Sequence, residues 1–164
     1  MKKSIQSGTG AALVAAALLA GASAAMAQEP NWQAVPTYTT TNLQSGFTPD
    51  PWTLKIDAGG NNSVSGSLGP NCTGYIHAAA PDVDLNYRPG EYSLYIRARS
   101  SADTTLVVYG PDRRWYCNDD REGLDPVVTF NNPQGGNYNI WVGVHGSNSL
   151  EPATLEITEM NPGQ

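Results

Sequence analysis

The feature that most constrains this chain is the brevity of its apolar runs. From Trp52 onward, hydrophobic residues come in short bursts that alternate with polar ones and stop at Gly, Asn, Asp or Pro. The run "YSLYIRAR" (Tyr92–Arg99) sets Tyr92, Leu94, Ile96 and Ala98 on one face of an extended chain. "WTLKID" (Trp52–Asp57), "GYIHA" (Gly74–Ala78) and "VDLNY" (Val83–Tyr87) alternate in the same way. So do "TTLVVY" (Thr104–Tyr109), "RWYC" (Arg114–Cys117), "VVTF" (Val127–Phe130), "YNIWVGV" (Tyr138–Val144) and "ATLEIT" (Ala153–Thr158). A period of two between turn residues is the mark of a half-buried strand, because successive side chains of a strand point to opposite faces. No helical period of useful length competes with it, and 17 glycines and 12 prolines would break helices. So many short strands in one domain predict an all-β fold: an antiparallel two-sheet β-sandwich, jelly-roll-like. The polar, Thr-rich stretch 28–45 reads as an irregular N-terminal arm, 46–159 as the sandwich and 160–164 as a tail.

The first 27 residues do not belong to that pattern. Lys2 and Lys3 precede an apolar stretch, Ala11–Ala20, that is too short to span a bilayer. Ala25, Met26 and Ala27 then form an A-x-A site, followed by Gln28. This is the layout of a secretory signal peptide cleaved after Ala27, which predicts a secreted or periplasmic protein. Without Lys2 and Lys3 the formal net charge moves from −6 to −8. So acidic a surface argues against nucleic acid and anionic lipid as partners, and no second apolar stretch suggests membrane insertion. Cys72 and Cys117 both lie in the exported part, where an even count predicts a disulfide. Such a bridge is worth roughly 4 kcal/mol by loop-closure entropy. Two cysteines alone cannot build a four-ligand structural zinc site.

The chemistry concentrates in "WYCNDDREGLDP" (Trp115–Pro126), where adjacent carboxylates repel unless solvent or a cation relieves them. If the two strands around "GPDR" form a hairpin, Asp103 lies at the same end of the sheet as Asn118, Asp119 and Asp120, with Asp125 nearby. Oxygen ligands gathered on loops suit a hard cation, and Ca2+ takes six to eight of them. The competing reading is that Asn and Asp are there as turn residues, with no EF-hand pattern present. Of the two histidines, His77 falls in an expected strand and His145 in a turn after "WVGV". Neither comes with a G-x-S-x-G elbow or an H-E-x-x-H motif, so catalysis is the minor reading. Trp52, Trp115 and Tyr116 are the candidate ligand-contact aromatics, and alternation sends Trp115 and Tyr116 to opposite faces.

"DTTLVVYGPD", "WYCNDDREGLDP" and "GGNYNIWVGV" together resemble the bacterial pre-peptidase C-terminal domain, whose pattern runs D-x-x-L, a turn, N-D-D and then G-x-Y-x-I-x-V. The resemblance covers about Gly46–Glu159. It implies a jelly-roll-like sandwich without catalytic activity, of the kind that accompanies secreted proteases. It also implies calcium at a rim built from Asp103, Asn118, Asp119 and Asp120. Arg113 stands where relatives commonly carry Gly, a departure that bears on the turn. The expectation is a secreted, non-catalytic, calcium-binding module that recognises an extracellular protein or polymer. The alternatives are a carbohydrate-binding protein using surface aromatics and a small secreted hydrolase.

Overall fold

The structure, a computed structural model, describes residues 28–162; the expected signal peptide and the last two residues of the tail lie outside them. Among the described residues there is no helix. Eleven strands follow in order: β1 (Thr39–Gln44), β2 (Trp52–Gly59), β3 (Asn62–Ser63), β4 (Tyr75–Ile76), β5 (Val83–Arg88) and β6 (Leu94–Ser100). The remaining five are β7 (Thr104–Tyr109), β8 (Trp115–Asn118), β9 (Val127–Phe130), β10 (Gly136–Val144) and β11 (Leu150–Thr158). Every run that alternates in the sequence overlaps a strand, and β7 and β9 match to the residue. Tyr92 departs from its expected face: β6 begins only at Leu94, and Tyr92 is exposed.

The strands form two sheets. One has four strands in the order β2-β11-β6-β9, all antiparallel. The other has seven: β1-β5-β10-β4-β3 along one path, with β7 on the far side of β10 and β8 beyond β7. The seven-stranded sheet is mixed rather than purely antiparallel, because β1 runs parallel to β5 from Thr39↔Val83 to Gln44↔Arg88. The arm expected to be irregular over 28–45 therefore ends in an edge strand. "TTTNLQ" hides it, since Leu43 is its one large apolar residue and the strand is held by its backbone ladder.

Alternation sorts the side chains. Ile56, Leu94, Ile96, Ala98, Val128, Leu155 and Ile157 from one sheet meet Val83, Leu85, Leu106, Val108, Tyr138, Ile140 and Val142 from the other. The opposite face of the seven-stranded sheet carries a second, smaller cluster of Val64, Ile76, Val107 and Trp141, with Leu68, Tyr109, Trp115 and Cys117 packed against it. Register explains its membership: Trp141 is opposite Val107, and Val107 opposite Cys117. The segment between β3 and β4 straps over this patch and is tied down by the Cys72–Cys117 disulfide, which links residues 45 apart. Its return passes through Gly74, at φ +90°, where a Cβ would lie 2.6 Å from Thr105 Oγ1. Only glycine lets the backbone approach that closely in that conformation.

Candidate metal centre

The site grows out of the β7–β8 hairpin. Its register runs from Leu106↔Asn118 to Tyr109↔Trp115, as the count about the turn predicts. The turn closes through Gly110 N–H donating to Arg114 O (2.9 Å) and Arg113 N–H donating to Gly110 O (3.0 Å). Arg113 adopts φ 63°, so the left-handed geometry that favours glycine is kept despite the side chain. Asp112 stabilises the turn: its Oδ1 accepts from Arg114 N (3.2 Å) and its Oδ2 from the Tyr116 hydroxyl (2.6 Å).

At the other end of the hairpin Asp103 and Asp119 come together, joined by a residue the sequence does not place there. The ladder between β10 and β7 ends at Val144↔Thr104, which brings His145 beside Asp103. The His145 N–H donates to the Asp103 carbonyl (2.9 Å). Its ring Nδ1 lies 2.7 Å from Asp119 Oδ2. One ligand atom from each of Asp103, Asp119 and His145 falls within 4.8 Å of the others. One oxygen of each carboxylate, Asp103 Oδ1 and Asp119 Oδ1, is buried with no hydrogen-bond partner. Leaving a buried polar atom unpaired costs about 1–3 kcal/mol, more for a charged group. Burial pushes the Asp119 carboxyl above its usual range; the bond to His145 opposes this, while Asp120 and Asp103 add to it.

The other expected rim residues are placed elsewhere. Asn118 turns inward, and its Oδ1 accepts from Val127 N (2.7 Å) across to the second sheet. Asp120 is exposed. Asp125 accepts from Ser100 N at Oδ1 (3.2 Å) and faces Arg99 at 3.8 Å, within an ionic group that includes Arg97, Glu122 and Glu156. Consecutive residues of an extended chain point in alternate directions, so "NDD" cannot direct three side chains to one point. His77 is exposed and lies just outside β4.

Two carboxylates with orphaned oxygens and one imidazole fit a divalent cation. They supply fewer oxygens than calcium ordinarily takes. The imidazole suits zinc and its transition-metal neighbours better.

Of the three candidate contact aromatics, Trp52 and Tyr116 pack against the main core, Tyr116 edge-on to Phe130 with centroids 4.9 Å apart. Trp115 belongs to the outer cluster, 4.7 Å from Tyr109 and 5.6 Å from Trp141. Trp32 extends this series, stacked on Tyr109 at 5.0 Å and still 38% exposed. Trp32 precedes the alternating runs, and no local signal in the sequence links it to Tyr109.

No protein-family model matches this chain, and no curated protein is significantly similar to it.

Proposed function

We propose that the chain is an exported, non-catalytic binding module with a divalent cation held by Asp103, Asp119 and His145. The observation that carries this reading is the convergence of those three groups with two orphaned, buried carboxylate oxygens. A cation there would neutralise both carboxylates. It would also tie three chain segments, the start of β7, the end of β8 and the end of β10, into one stiff rim. Calcium is the ion that an extracellular compartment supplies to weak oxygen sites, and the resemblance to pre-peptidase C-terminal domains points to it. The imidazole adds a preference for zinc. The non-catalytic part of the reading comes from the resemblance to pre-peptidase C-terminal domains, and His145 is assigned to the cation through its contact with Asp119. The recognised partner is an extracellular protein or polymer.

Titration calorimetry of chelator-treated protein, first with Ca2+ and then with Zn2+, tests the rim. Binding at one ion per chain that Asp103→Ala and Asp119→Ala both abolish supports it. No heat with either ion ends it. Assays against casein and common glycosides test the non-catalytic part, and turnover that disappears with His145→Ala would overturn it.

A further inference from the structure

The half of the outer face that the strap leaves uncovered carries an ordered set of amides. Asn42 on β1, Asn86 on β5 and Asn137 on β10 lie opposite one another in register. Their side chains are linked in series: Asn137 Nδ2 donates to Asn86 Oδ1 (3.1 Å) and Asn86 Nδ2 to Asn42 Oδ1 (3.1 Å). The neighbouring row on the same strands is more covered: Asp84 is partly buried and Asn139 buried, its Nδ2 donating to Asp84 Oδ1 (2.7 Å). That row continues through Asn139↔Tyr109 to the tyrosine on which Trp32 stacks. On the other side, Arg88 donates to Gln44 Oε1 (3.3 Å). A groove of about 440 Å³ runs over Asn42, Gln44, Asn86, Arg88 and Asn137.

We propose that this amide face, bounded by Trp32 and Tyr109, is the ligand surface and that it takes a neutral polysaccharide. The inference deepens the binding-module reading and rests on it, but it uses a surface separate from the cation rim. The argument is one of chemical match. An amide carries two N–H donors and an acceptor oxygen, of which the serial links use one N–H each of Asn137 and Asn86, and each sugar hydroxyl both donates and accepts. Linking the amides in series fixes their orientation before any ligand arrives, which lowers the entropy cost of binding. Adjacent strands set the amides roughly 4.7–4.9 Å apart, a regular spacing suited to a repeating ligand. On the exposed part of the face, among the described residues, the carboxylate of Asp84 and the guanidinium of Arg88 are each bonded to an amide and offset one another in charge. A face without net charge, on a strongly acidic protein, offers no cationic row to an acidic polymer and no carboxylate row to a basic peptide. Trp32, seated on Tyr109 and still partly exposed, supplies a flat apolar surface at one end, suited to the hydrogen-lined face of a sugar ring.

Retention in native affinity gels containing hydroxyethylcellulose, amylose or a soluble β-1,3-glucan tests this, with polygalacturonate and gelatin as contrasts. The expected result is retardation by at least one neutral glucan. Asn86→Ala and Trp32→Ala should each weaken it about tenfold or more, while chelator leaves it intact. Asn86 is exposed, so its truncation should not disturb folding. The unmutated protein provides a second measurement: the side-chain amide resonances of Asn42, Asn86 and Asn137 should shift when the retarding glucan is added. Retardation that survives Asn86→Ala, or shifts confined to other residues, would overturn the inference. Retardation by gelatin alone would also overturn it while leaving the binding-module reading standing. Retardation by nothing, together with no heat from either cation, would remove both.

Discussion

The rim makes a prediction of sign. One oxygen of Asp103 and one of Asp119 lie no more than 4.8 Å apart. Two unit charges at that separation repel by about 3.5 kcal/mol at an effective dielectric of 20, and by about 1 kcal/mol in bulk water. The Asp119 side chain is 22% exposed, which places the repulsion between these limits and nearer the first. Asp119→Asn removes the charge and keeps the shape. It also weakens the contact with His145, but that side chain is 44% exposed and such a pair is worth about 1 kcal/mol or less. In chelator at pH 8, therefore, Asp119→Asn should be more stable than the wild type, by about 1–2 kcal/mol. A saturating cation should reverse the order. At one hundred times its dissociation constant an ion stabilises the native state by about 2.7 kcal/mol, and the variant has lost a charged ligand. Paired thermal melts in chelator and in ion, checked by urea unfolding, read both halves. Each kcal/mol should appear as a few degrees in Tm for a domain of this size. If the variant is no more stable than the wild type in chelator, the electrostatic reasoning is refuted. If the order does not change when Ca2+ or Zn2+ is added, the rim is not a cation site.

Three further predictions concern the frame. Asp82 is buried, and burial pushes its carboxyl from 3.8 up to about 7, against the hydrogen bond it accepts from Val142 N at 2.7 Å. The unfolded chain thus gives up this proton near pH 4 and the folded one near pH 7, so stability should fall by up to about 4 kcal/mol across that interval and level off above it. Asp82→Asn should flatten the profile in urea titrations from pH 4 to pH 8. Replacing Cys72 and Cys117 together by alanine should lower stability by roughly 4 kcal/mol, from the loop entropy of the unfolded chain. A loss under about 1 kcal/mol in urea unfolding would mean that packing alone holds the strap. Gly74→Ala should cost roughly 1–3 kcal/mol for its backbone conformation, with more from the contact at Thr105. An unchanged melting temperature would contradict the close approach.

The two sheets were legible because burial imposes alternation, and alternation is local. Leu94, Ile96 and Ala98 announce β6 without reference to any partner, and each is fully buried. β1 and β3 carry no such pattern. "TTTNLQ" is a strand because β5 offers it a parallel ladder, and the two residues of β3 pair only with β4. Trp32 likewise has meaning only against Tyr109, 77 residues away in sequence. The disulfide was legible from the even count of cysteines and the expected export, but the strap that it holds over Trp141 was not. The amide face was missed for a related reason. Asn42, Asn86 and Asn137 sit singly on three strands, and nothing local distinguishes an asparagine in a ladder from one in a turn.

The rim shows where local reading stops. A hairpin count needs only a turn and two arms, so it brings Asp103 to the level of Asp119 correctly. Completing the site requires knowing that β10 lies beside β7 and in which register. A shift of one residue between them would exchange faces along β10. The observed pairing, with Val144 opposite Thr104, puts His145 next to Asp103 and turns a pair of repelling carboxylates into a mixed oxygen and nitrogen donor set. The same alternation that gives β7 and β8 a buried face takes Asn118 away from that set. The identity of the third donor is thus a consequence of sheet topology, and with it the kind of ion that the proposed site would prefer.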